Sequence, residues 1–313
     1  MGFKEMREAA GSPDEGSGTR LGVPAAAMSF LIWGFLPLYW KLLISISPFE
    51  VVCHRGLWCF VIVLPITIWA GRMPEVRAAL RRNTIRLLLS TFFLSVNWLV
   101  FTWAVTHDRV LETSLGNFIN PLLNMLCGVL FFRDRPRPMQ WFALLLAFLG
   151  VGVLVIMQGS IPWVALGLSG SFAVYAVLRK IINIDALSEL LVENGIFSFF
   201  AVMLLTWFFC TGATTVHFSD TKMVLLLMGG GCVTAIPMGL YVYGARRLKL
   251  TTLGLLHYLL PTATFLLSVF VFREPFTITH LTTFLCIWAA LILYTFDAWR
   301  AYHPVNRNNA RRN

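Results

Sequence analysis

Apolar residues fall in ten runs along this chain, at 22–44, 49–70, 85–106, 112–132, 139–157, 162–181, 188–210, 222–244, 251–272 and 276–298. Each is close to about 20 residues, the length an α-helix needs to cross roughly 30 Å of hydrocarbon. Most runs lack the charged face that a helix on a large soluble core would show. The pattern therefore predicts an all-α integral membrane protein with ten spanning helices. Runs 162–181 and 222–244 are rich in Gly, Ala and Ser, which let helix backbones approach closely in a bilayer. Residues 1–20 are polar, with no apolar core and cleavage site, and read as a disordered tail rather than a removable signal peptide. Residues 299–313 form a basic tail.

The polar positions inside the runs carry the next layer of information. From Glu112 to Pro138 an apolar run is broken by Thr113, Asn117, Asn120 and Asn124. Their spacing puts all four on one face of a helix that also contains Pro121. The design recurs at Thr251 to Pro275, with the same Thr/Ser-Leu-Gly opening, an internal proline and an Arg-acid-Pro-like end. Glu50 to Gly56 likewise resembles Glu189 to Gly195, and Ser29, Phe30 and Trp33 line up with Ser171, Phe172 and Tyr175. Matches in the same order predict two five-helix repeats, 21–158 and 159–298. An odd number of spans inverts the second repeat in the membrane, an arrangement typical of secondary transporters.

Composition supports the membrane reading: 58% of residues are hydrophobic and 13% charged. Soluble domains average about 45–50% and about 25%. The net charge of +10 would suit a nucleic-acid partner, but placement argues against one. All 25 Lys and Arg residues except Lys41, Arg55, Arg109, Lys222 and Arg273 fall in the two tails and in stretches 71–86, 133–138, 179–187 and 245–250. By the positive-inside rule these lie in the cytoplasm, with both termini. The six cysteines sit in apolar runs without metal-ligand spacing and read as small buried hydrophobes.

Several segments, in order, carry a family resemblance: Phe30 to Gly34, His54-Arg55, Asn97-Trp98, Ser114 to Pro121, Met139-Gln140-Trp141, Ala165 to Gly167, Arg179-Lys180 and Tyr258 to Thr262. Together they resemble the RarD branch of the EamA group in the drug/metabolite transporter superfamily. The resemblance implies a bacterial inner-membrane permease of ten helices in two EamA repeats. One position departs from it: Leu256-His257-Tyr258 stands where the branch usually carries Phe-Gln-Tyr.

The candidate cavity residues are Trp33, His54, Arg55, Asn97, Trp98, Asn117, Asn120, Asn124, Tyr175, Glu193, Asn194, His257 and Tyr258. Arg55 lies about six residues into its span, roughly 9 Å deep. It reads as an anion-binding or gating group, or else as an arginine snorkelling to the near surface. Glu193 and Asn194 occupy the matching place in the second half. Opposite entry sides put Arg55 and Glu193 about 10 Å apart in depth, each on its own side of a central cavity. Glu193 and His257 are the proton-coupling candidates, with a wet carboxylate and a packing histidine as the alternatives. The asparagines suit neutral or zwitterionic solutes, or serve as interhelical glue. Trp33 and Trp98 are deep enough to line a path, whereas Trp40 is expected in the interfacial belt.

No Walker motif, HExxH or GxSxG occurs, so neither ATP coupling nor an enzyme is expected, and no catalytic residue, metal or cofactor. The expected partners are a small organic solute and the lipid bilayer; the sequence assigns no oligomeric state. A secondary carrier alternating access between the repeats is the leading reading. A channel or scaffold, and an intramembrane enzyme, are the alternatives; saturable flux separates carrier from channel.

Overall fold

The computed structural model describes residues 18–132, 137–182, 184–245, 247–248 and 256–302. Most of both tails, Arg133, Arg135, Arg246 and the Thr251 to Gly254 opening of the ninth run lie outside the described residues. The rest forms ten helices: α1 (Gly18–Lys41), α2 (Pro48–Trp69), α3 (Met73–Thr106), α4 (Val110–Phe132), α5 (Pro138–Gln158), α6 (Trp163–Ile182), α7 (Ala186–Thr211), α8 (Thr221–Ala245), α9 (Leu259–Leu266) and α10 (Ile278–Tyr302). A π-helical turn, Leu267–Val271, continues α9. Eight helices are long and apolar enough to cross a membrane; α6 and α9 supply shorter apolar segments. Local sequence sets the ends. Pro48, Pro74 and Pro138 sit in first turns, where a missing N–H leaves no bond unmade. Gly71, Gly159 and Gly212 follow α2, α5 and α7 with φ of 68°, 65° and 68°, a left-handed stop.

Two expectations change. The arginine-rich stretch 71–86, read as a connection, is helical from Met73 onward, and α3 turns at Asn83 (φ −130°, ψ 24°) before entering the apolar run. The cause is an apolar side: Val76 and Ala79 are buried with Ile182, Leu191 and Val192. Only Cys53 and Cys59 are buried among the cysteines, while Cys210 and Cys232 are exposed. A run surrounded by hydrocarbon is apolar on its outer side too, so apolar neighbours do not imply an interior position. The exterior also displays Phe92, Leu130, Phe199, Phe200, Trp207 and Phe270, each more than half exposed. A surface this apolar suits lipid rather than water.

The packing repeats itself between halves. Helices α2 and α7 pack together, as do α4 with α9 and α5 with α10; each pair joins a helix to its expected counterpart. The other main packings form exchange couples: α1–α8 with α3–α6, α2–α8 with α3–α7, and α1–α9 with α4–α6. Swapping the halves maps this scheme onto itself. One such couple is tightened by glycine on each side. A Cβ on Gly34 of α1 would lie 2.8 Å from the Leu260 carbonyl oxygen, and one on Gly116 of α4 would lie 2.8 Å from that of Ala165. Neither helix pair could close with a larger residue.

One end of the bundle is tied across the halves by carboxylates. Glu50, buried at the start of α2, accepts hydrogen bonds from the Thr214 hydroxyl (2.6 Å), the Thr215 backbone N–H (2.8 Å) and the Thr215 hydroxyl. Glu274, after α9, accepts from the backbone N–H groups of Val110 and Leu111 at the start of α4, both at 2.7 Å. These N–H groups belong to the first turn of α4, where a carboxylate satisfies orphan donors and meets the positive end of the helix dipole.

Candidate functional site

The glutamate clamp fixes where α2 begins, and Arg55 follows five positions later. Its side chain is buried, with 6% of its surface exposed. Nε donates to the Thr234 hydroxyl of α8 at 3.0 Å. The guanidinium carbon lies 4.3 Å from the Trp98 ring centre on α3 and 5.3 Å from that of Trp40 on α1. Glycine shapes the wall opposite, since a Cβ on Gly230 would touch the Trp40 ring at 3.6 Å and the Arg55 Cα at 3.8 Å. Gly56 meets Phe197 of α7 so closely that a Cβ would overlap the phenyl ring. Phe197 in turn packs edge-on to Trp98, with ring centres 5.8 Å apart. Arg55 therefore sits beside the crossing of α2 and α7, and the snorkelling alternative gives way to a buried position.

The equivalent stretch of α7 has the opposite polarity. Glu193 is 2% exposed. Its Oε1 accepts from Ser90 of α3 at 2.6 Å, and its Oε2 accepts from the Tyr175 hydroxyl of α6 at 3.1 Å. One turn earlier, buried Glu189 pairs with Arg179 of α6 at 2.6 Å, and Arg179 also donates to the Tyr175 hydroxyl at 3.2 Å. One guanidinium, two carboxylates and two hydroxyls thus form a continuous network on α3, α6 and α7. No ion pair joins Arg55 to Glu193 among the described residues.

The remaining expected residues divide. His54 is half-buried beside Arg55, and its Nδ1 has no hydrogen-bond partner. Asn194 is fully buried; its amide donates to the Leu190 carbonyl at 2.8 Å, and its Oδ1 has no partner. Asn97 staples α3 to α6, donating to the Leu168 carbonyl at 2.9 Å and the Ser171 hydroxyl at 3.2 Å. Trp33 and His257 join Phe30 and Tyr241 in an aromatic group on α1, α8 and the segment before α9. Tyr258 packs on the cluster formed by α4, α5 and α10. On α4, Asn120 is buried and donates to the Asn117 carbonyl at 3.3 Å, while Asn124 is exposed.

Sequence reasoning passed over Trp40, Ser90, Thr234 and Arg179. Trp40, expected in the interfacial belt, is 1% exposed and stacks on Arg55 instead. Distance from a helix end does not tell which face a tryptophan presents to its neighbours. Arg179 was counted with a basic connection, but it lies within α6, one turn after Tyr175. That spacing, facing Glu189 and Glu193 at the same spacing on α7, was the available signal.

Comparison with known proteins gives this arrangement a lineage. The sequence pattern of the EamA-like transporter family matches residues 20–156. A Salmonella typhi protein named RarD is 38% identical, with 90% of this chain and 96% of that protein covered. An uncharacterized transporter of Vibrio cholerae is 36% identical over 95% of this chain and 98% of its own length. Escherichia coli RarD is 36% identical over 90% of this chain and 95% of the relative. A solved crystal structure with 18% identity superposes with a TM-score of 0.59, covering 90% of this chain and 98% of that one, so the fold is shared well beyond close sequence similarity. With relatives matched over nearly their whole length and the expected ten helices in place, the chain belongs to the EamA-like transporter family, in its RarD branch.

Proposed function

We propose that this protein is a secondary carrier of the bacterial inner membrane. It moves a small organic solute by alternately exposing the interface between residues 21–158 and 159–298. Both termini face the cytoplasm, an orientation supported by where the basic stretches fall. The observation that carries this reading is the packing scheme, which survives exchange of the halves, with a buried charged position on each side of the α2–α7 crossing. Inverted halves with a site between them are the architecture of alternating access. Glu193 is the proposed proton carrier: it is buried, hydrogen-bonded among the described residues to two hydroxyls, and linked through Tyr175 to Arg179. His257 is the second proposed proton site.

The test is uptake into proteoliposomes of a panel of amino acids, organic acids, nucleosides and amines, with and without a pH gradient. Saturable uptake stimulated by the gradient is expected, and Glu193→Gln should abolish the stimulation while leaving exchange between equal concentrations. Flux that rises without saturation would replace the carrier with a channel, and no solute-specific flux from folded protein would remove transport as the function.

A further inference from the structure

The surroundings of Arg55 are rich in hydrogen-bond donors and poor in acceptors. Its guanidinium carries a full charge at a position 6% exposed, yet no carboxylate lies within ion-pair distance among the described residues. Nε is committed to Thr234, whose own hydroxyl is directed at the Gly230 carbonyl at 2.9 Å. The two Nη groups donate to no described residue. The indole N–H of Trp40, which lies against the guanidinium, has no acceptor either, and neither has the buried Nδ1 of neighbouring His54 any partner. The Trp58 indole N–H, one turn further along α2, is also buried without an acceptor.

A buried cation without a counterion is costly, and the faces of two tryptophans offset only part of that cost. A site built for stability would place an acid here, as the same fold does for Arg179. With Nε occupied, the free edge of the guanidinium is its Nη1/Nη2 end, whose two parallel N–H groups match the two oxygens of a carboxylate. We infer that Arg55 is an anion subsite that takes the carboxylate of an organic acid or zwitterion, with the Trp40 indole N–H as a neighbouring donor. A single cation favours a singly charged carboxylate over a phosphate, which several donors of positive charge usually share. The inference deepens the carrier reading by naming the charged end of its solute, but it is tested by binding and not by transport.

The full-length protein, purified in detergent, is titrated with formate, acetate and phenylacetate and with the matched amides, following tryptophan fluorescence and the melting temperature. Formate and acetate carry the carboxylate with little or no body, so they probe the charged end of the solute alone. The carboxylates should bind at least tenfold more tightly than the amides and raise the melting temperature. Arg55→Gln should erase that preference while melting at the same or a higher temperature without ligand. Arg55→Lys should keep part of it. Equal response to acids and amides, no response to any carboxylate, or an undiminished preference in a folded Arg55→Gln protein would each overturn the subsite. Carboxylate binding without solute flux would instead remove the carrier reading and leave the subsite standing.

Discussion

Arg55 and Arg179 are both arginines inside an apolar bundle, and they are handled in opposite ways. Arg179 faces Glu189 at 2.6 Å and shares the Tyr175 hydroxyl with Glu193, so its charge is matched. Arg55 has one hydroxyl and two aromatic faces. Arg55 lies in one of two similar stretches, Glu50 to Gly56, and Arg179 faces the other, Glu189 to Gly195. In α2 the leading glutamate clamps a connection from the other half; in α7 it neutralises an arginine of its own half. A repeated frame keeps the backbone positions while the charges at them diverge. One arginine is left without a counter-charge among the described residues, and the other belongs to a network that supplies one.

The comparison breaks or sharpens under substitution. The largest effect is expected from Arg179→Ala, which leaves buried Glu189 without its cation and should cost about 3–5 kcal/mol in denaturant unfolding. Adding Glu189→Gln should recover much of that loss, and failure to recover it would show that the two residues are not coupled. Ser90→Ala removes a charge-assisted hydrogen bond to Glu193 and should cost about 1.5–2 kcal/mol by the same measurement. Arg55→Met should reverse the sign, leaving stability unchanged or raised by about 1 kcal/mol, because no buried counter-charge is abandoned and the Thr234 hydroxyl keeps its bond to the Gly230 carbonyl. A loss as large as that of Arg179→Ala would make the two arginines structurally equivalent. Smaller still, Asn120→Ala should cost about 0.6 kcal/mol and impair solute uptake without preventing membrane insertion. Asn124→Ala, on an exposed position, should stay within about 0.5 kcal/mol.

The helices were legible in the sequence because a bilayer accepts little else: where described, each of the ten apolar runs is helical. What escaped was decided by which helix lies next to which. Trp40 reads as an interfacial residue until α2 brings Arg55 beneath it. Asn97 interrupts its run legibly, but that α6 presents a carbonyl and a hydroxyl to it does not show in the sequence. The helical Met73–Arg82 stretch was hidden because its arginines dominate its composition, and the docking surface for Val76 and Ala79 comes from α6 and α7, about a hundred residues away in sequence. His54-Arg55 and Glu193-Asn194 were legible as matching pairs, since both interrupt apolar runs at equivalent places, but their partners were not.

The carboxylate ties give the two ends of the bundle unequal seams. Where α2 and α4 begin, Glu50 and Glu274 stitch the first half to the second through bonds to backbone N–H groups and threonine hydroxyls, in a buried setting. At the opposite end, the bonds crossing between halves include the half-exposed Arg137–Asp297 pair at 3.3 Å and the Ser188 hydroxyl to Glu75 at 3.4 Å. Water can reach the Arg137 side of the first of these more readily than it reaches the bonds of Glu274. Parting the halves at the glutamate end means unmaking both clasps together, whereas on the other side the exposed Arg137 contact yields to water first and the buried Ser90–Glu193 bond is the one that holds.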